Sequence, residues 1–96
     1  MKQSYVYIMA SKRNGVLYIW VTSDLAKRVS EHRLGDVKGF SQKYKTKRLV
    51  HYEIFEDIEV AIAREKQLKN WHRDWKINLL EKENPEWDDL WEEIVG

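Results

Sequence analysis

The amino-acid sequence predicts one small domain of mixed strands and helices, on three observations. Two aromatic and β-branched runs, SYVYIMA at residues 4–10 and VLYIWVT at residues 16–22, flank an Asn-Gly pair, the pattern of an antiparallel hairpin. Beyond residue 58 the apolar spacing changes from two to between three and four, as it does where strands give way to helices. A chain of 96 residues also buries only roughly 65% of its unfolded surface, enough for one core and not for two.

The elements follow in order. Within the hairpin, Gly15 is expected to supply the positive φ of the turn. Ser23 or Asp24 stands where a helix N-cap is needed, for a helix running to about Leu34 with Leu25, Val29 and His32 on one face and Gly35 beyond its end. Residues 35–48, GDVKGFSQKYKTKR, hold two glycines and five basic residues and read as a loop. Leu49 to Phe55, LVHYEIF, alternates as a third strand. Then Ile58, Ala61, Glu65, Leu68, His72 and Trp75 fall on one helical stripe. Residues 76–80 and 85–95 read as short helical pieces, with Pro85 opening the last and Trp87, Leu90, Trp91 and Ile94 covering the core.

Seventeen basic and 16 acidic residues leave a net charge of +1 and a pI near 7.9, which argues against a uniformly basic nucleic-acid binder. The average conceals a division. Residues 1–80 carry 16 basic and 9 acidic side chains, whereas residues 81–96 carry one basic residue, Lys82, and 7 acidic ones, so a body of +7 is followed by a tail of −6. Such a tail reads as a solvated helix face, as a mimic of an acidic ligand or as an autoinhibitory segment. The lack of cysteine excludes disulfides, thiolate zinc sites and thiol nucleophiles and points to a cytoplasmic setting. No apolar run has the length of a membrane span or a signal sequence.

Some residues in this pattern can carry chemistry. Glu65 places a carboxylate on the inward stripe of a helix, where it needs a cationic partner or a hard metal ion. Arg28 and His32, one helical turn apart, offer a planar fork for phosphate oxygens and an imidazole able to relay a proton, or form the polar side of an amphipathic helix. Tyr5 and Tyr7 share one face of their strand, and Tyr18 lies in the next; packing accounts for tyrosines there as readily as chemistry does. Lys38, Lys43, Lys45, Lys47 and Arg48, interleaved with Phe40 and Tyr44, suit a nucleic-acid groove or a solvated loop.

Together, Tyr5-Val6-Tyr7, Tyr18-Ile19-Trp20, Val21-Thr22-Ser23-Asp24-Leu25 and Arg28 resemble the GIY-YIG nuclease domain. The likeness is to its small stand-alone members, similar to the N-terminal nuclease domain of the excision-repair excinuclease. It continues through Gly39-Phe40-Ser41-Gln42-Lys43-Tyr44, Leu49-Val50-His51-Tyr52-Glu53, Ala63-Arg64-Glu65-Lys66-Gln67-Leu68-Lys69 and Asn84-Pro85-Glu86-Trp87. The resemblance implies an α/β (α+β) fold with a three-stranded antiparallel sheet flanked by helices, residues 1–96 forming one domain with an acidic helical segment from about residue 81. It also implies an endonuclease that hydrolyses phosphodiester bonds in DNA, branched or damaged DNA included, with one divalent metal ion, Mg²⁺ or Mn²⁺.

Carried over by position, Tyr7 and Tyr18 match the motif tyrosines, Arg28 the helix arginine and Glu65 the metal-binding glutamate, while His32 matches a position that is histidine in some branches. The sequence departs from the pattern at Tyr5 and Trp20, where the motifs carry glycine, and at Val21, where relatives of the excision-repair type carry lysine. An indole at position 20 can fill the cleft that admits the phosphate. A nucleic-acid-binding module of impaired catalysis therefore stands beside the nuclease, as does a protein-interaction domain that uses exposed tryptophans.

Overall fold

The computed structural model describes residues 3–34 and 48–95. Strands β1 (Ser4–Ala10), β2 (Leu17–Thr22) and β3 (Arg48–Phe55) form one antiparallel sheet in the order β2-β1-β3, with helices α1 (Leu25–Leu34), α2 (Ile58–Asn70), α3 (Arg73–Glu81) and α4 (Trp91–Val95) around it. This is the predicted fold class. Among the described residues, no helix is long and apolar enough to cross a membrane.

β1 is the middle strand and is buried on both faces, so its alternation sorts the core into two clusters. Val6, Ile8 and Ala10 meet Ile19, Val50, Ala61, Leu68, Leu80 and Trp87 on the face covered by α2 and α3. Tyr7 and Met9 meet Leu25, Val29 and Leu49 on the face covered by α1, with Leu90, Trp91 and Ile94 packed at the margin. A bulge in the β1–β3 register, between Ile8 and Met9, shifts the pairing from His51 to Leu49.

The hairpin corrects one expectation. Asn14, not Gly15, takes the positive φ, at 61°, a conformation asparagine tolerates through its short polar side chain. Gly15 is needed for space: a Cβ there would lie 2.3 Å from Ser11 Oγ and 3.0 Å from the Lys12 nitrogen. β2 accordingly begins at Leu17, with Val16 left exposed in the loop.

α1 starts where Asp24 accepts a hydrogen bond from the Lys27 amide, so Asp24 rather than Ser23 is the cap. The long stripe from Ile58 to Trp75 is not one helix. Trp71 and His72 are extended, with ψ near 150°, and helix resumes at Arg73. The turn lets Leu68, Trp71, Ile77 and Leu80 all reach one apolar cluster, a tertiary gain that outweighs helix continuity. Ala61 and Leu68 face inward as the stripe requires, whereas Ile58, His72 and Trp75 are exposed.

The chain beyond residue 81 is more turn than helix. Pro85 lies in a turn, and α4 begins only at Trp91, whose amide is capped by Asp89. Trp87 is fully buried with φ 58° and is held by its indole N–H to Glu81 and its carbonyl to Arg48. The acidic segment is bound to the body by its own carboxylates, with Glu86 on Arg13, Asp89 on Arg33 and Glu93 on the Tyr52 hydroxyl.

Candidate functional site

The site is built on the α1-covered face, toward the β2 edge. Tyr7 and Trp20 are cross-strand partners, and Tyr18, two residues before Trp20, lies on the same face of β2. From α1, His32 reaches in from the last turn and is only 2% exposed, so its inward position follows from the spacing that also buries Leu25 and Val29. The Tyr7 hydroxyl and His32 Nε2 are hydrogen-bonded at 3.0 Å in the buried interior. The other ring nitrogen, His32 Nδ1, is buried without a hydrogen-bond partner.

An indole roofs this pair. Trp20 stacks on the imidazole with centroids 4.4 Å apart and rings inclined at 27°, and it lies 5.9 Å from Tyr7 and 5.6 Å from Tyr18. It therefore covers the Tyr7–His32 bond.

Charge is arranged around neutral groups. Burial pushes the Tyr7 phenol well above its ordinary value; the nearby Arg28 charge opposes this, and those of Glu31 and Glu65 add to it. Burial lowers the His32 imidazole, with Arg28 acting in the same sense and Glu31 against it. At neutral pH the site thus holds a phenol and an uncharged imidazole sharing one hydrogen bond, ringed by Arg28, Glu31 and Glu65.

Arg28 is half exposed, with Nη1 3.4 Å from Glu31 Oε1 one turn on, and it opens into a cleft of about 860 Å³ lined also by Ser4, Thr22, Glu56 and Asp57. Glu65, at 15% side-chain exposure, lies 3.6 Å from Lys69 Nζ. Tyr7 and His32 are in contact, the charges of Arg28 and Glu65 act on the Tyr7 hydroxyl, and Tyr18 is linked to the pair through the Trp20 stack. Glu31 was not singled out from the sequence, although its three-residue spacing from Arg28 on a helix was the available signal.

The basic loop divides differently. Arg48 is the first residue of β3 and donates to the Trp87 carbonyl at 3.0 Å, so it braces the C-terminal segment rather than forming part of a loop. Lys38, Lys43, Lys45 and Lys47 lie outside the described residues.

Glu65 supplies one largely enclosed carboxylate, and among the described residues no three His, Asp or Glu side chains gather into a closed metal cage. Ions of the Mg²⁺ type take one or two carboxylates and complete their shell with water and substrate phosphate. Glu65 is the carboxylate that would serve such an ion, and in this structure it meets the Lys69 ammonium.

The three-stranded antiparallel sheet with its flanking helices and the sequence that builds it belong to a nuclease-like class of domain. The sequence matches the family model of the GIY-YIG catalytic domain over residues 3–78, and the chain belongs to the GIY-YIG family. Relatives within that family include UPF0213 proteins. That of Haloquadratum walsbyi is 33% identical over 78 residues, covering 81% of this chain and 86% of its own. That of Syntrophus aciditrophicus is 32% identical over 87 residues, covering 90% and 98%. The solution NMR structure of the UPF0213 protein BH0048 from Bacillus halodurans matches at a TM-score of 0.57 and 25% identity, over 91% of this chain and 92% of that one.

Proposed function

We propose that this protein is a divalent-metal-dependent endonuclease that hydrolyses phosphodiester bonds in DNA. The observation that carries the reading is the buried Tyr7–His32 hydrogen bond, with the charges of Arg28 and Glu65 acting on the same hydroxyl. A polar pair enclosed with one nitrogen unsatisfied costs stability and is characteristic of sites kept for chemistry.

In this reading Glu65 would hold Mg²⁺ or Mn²⁺, which would supply Lewis-acid polarisation of the phosphate and stabilise the leaving oxygen. Arg28 neutralises charge that develops on the phosphoryl oxygens. Tyr7, held neutral by burial, is no free base. It takes a proton from the attacking water at Oη as its own proton passes to His32 Nε2, so the pair acts as one acceptor. Tyr18 helps to fix the Trp20 roof through their stack.

Nicking of supercoiled plasmid with Mg²⁺ or Mn²⁺ tests the proposal. Glu65→Gln and Arg28→Ala are each expected to lower the rate by about 10²-fold or more. Cleavage that survives both substitutions would remove the assignment.

The position of Trp20 favours a second reading, a nucleic-acid-binding module whose catalytic pair is roofed over. Trp20→Gly separates the two. Cleavage that emerges only in the variant supports the second reading, and cleavage by the unaltered protein supports the first.

A further inference from the structure

At the junction of α2 and α3, away from the Tyr7–His32 pair, a large aromatic ring stands in solvent. Trp75 is 54% exposed, although it lies on the stripe that the sequence turns inward. It is not loose. Trp71 meets it edge to face at 5.8 Å and 81°, and His72 does so at 5.6 Å and 83°. Trp71 is in turn packed on the apolar cluster, with the Arg64 guanidinium over its ring at 5.2 Å. Two perpendicular rings thus hold the indole upright. A face braced in this way loses little rotational freedom when a flat partner lands on it.

The surroundings are cationic. Residues 64–76 hold Arg64, Lys66, Lys69, Arg73 and Lys76 against only Glu65 and Asp74. Arg73 is anchored by donating to the carbonyls of Asn14 and Gly15, at 3.0 and 2.7 Å. Lys76 is half-buried beside it, where burial and the Arg73 charge both lower its pKa. Lys69 meets Glu65 at 3.6 Å, so the cationic stretch includes the helix that carries Glu65.

We propose that Trp75 is a stacking platform for an unpaired base, and that Arg73 and Lys76 hold the backbone of a single-stranded segment of nucleic acid. The charge suits a polyanion, and the exposed indole face suits a flat π-system. A base inside a duplex has both faces covered, which selects single-stranded over double-stranded ligand. The inference rests on the nuclease reading and extends it by naming the substrate feature: an overhang, flap or single-stranded segment leading to the cleaved phosphate.

Equilibrium binding of a short fluorescein-labelled oligothymidine and of a blunt duplex, measured in EDTA so that cleavage plays no part, tests this. Trp75→Ala is expected to weaken oligothymidine binding by roughly ten- to a hundred-fold, with Trp75→Phe retaining most of the affinity. Duplex binding should change far less. Lys76→Ala should flatten the slope of log affinity against log salt by about 0.7 while leaving the single-strand preference in place. Far-ultraviolet circular dichroism of each variant confirms the fold. The inference falls if Trp75→Ala binds oligothymidine as the parent does, or if it weakens duplex and single strand equally. Plasmid nicking is read separately: cleavage with no effect at Trp75 removes the platform and keeps the nuclease, whereas Trp75-dependent binding without cleavage does the reverse.

Discussion

The face of the sheet under α2 and α3 buries the larger apolar cluster, and the two faces treat polar groups in opposite ways. Under α2 and α3, the polar intruders are matched. Glu53 accepts from Arg64 at 2.8 and 3.1 Å and shares a 2.9 Å contact with His51, and Asn84 donates to the Val50 carbonyl at 3.0 Å. Under α1, His32 keeps one nitrogen unmatched and Tyr7 is held neutral. Folding alone favours the first solution. The second persists where neutral groups close to charges serve another purpose, which is why the unmatched face carries the proposed chemistry.

Substitutions on each face break or sharpen this contrast. The largest expected effect is on the matched face, where Leu68→Ala should lower unfolding free energy by about 3 kcal/mol in denaturant titration. It should leave the NMR titration of the His32 imidazole unmoved. A shifted His32 titration would mean that the faces are coupled.

Trp20→Ala comes next, with a loss of about 2 kcal/mol as the roof over His32 is removed. Here the imidazole should move, its pKa rising toward the ordinary 6.5 as burial is relieved. An unchanged titration would show that Trp20 is not what shields the ring.

The two faces should also differ in their response to acid. Burial alone would raise the Glu53 carboxyl, but the hydrogen bonds from His51 and Arg64 outweigh it and bring the pKa from 4.5 to about 2. A carboxylate with a depressed folded-state pKa stabilises above its unfolded value, so this contribution fades from about pH 4.5 downward toward 2. The lowered imidazole of His32 acts in the same direction but in an earlier window, from 6.5 downward, because the unfolded chain takes up the proton first. Glu53→Gln should cost roughly 1–2 kcal/mol at neutral pH and abolish only the lower window. The smallest effect is expected for Arg73→Ala, roughly 0.5–1 kcal/mol from loss of its clasp on the hairpin turn.

Much of this fold is legible in the amino-acid sequence. Residues 4–10 form β1 as their aromatic and β-branched run predicts, and Leu25, Val29 and His32 share the buried face of α1 as their spacing predicts. Those readings succeed because aromatic and β-branched residues favour a strand, and because α1 answers to a single buried face. The helix break at Trp71 was not legible, since no proline or glycine marks it and the gain comes from the distant cluster that Leu80 joins. The positive φ falls on Asn14 rather than Gly15, and since both residues tolerate it the pair alone does not mark which one takes it. In the site, Tyr7, Arg28, His32 and Glu65 were named from sequence. The Trp20 stack and the orphaned nitrogen were not, because both depend on how two elements meet.

Trp87 has a practical corollary. It lies beyond residue 78, where the family match ends, yet it is one of the largest fully buried side chains and closes the α2 and α3 face. A trimmed version cut at the family boundary would uncover an apolar floor and would be prone to aggregate. The negative charge of this C-terminal stretch therefore cannot be removed by deletion; it has to be changed one carboxylate at a time, with the indole left in place.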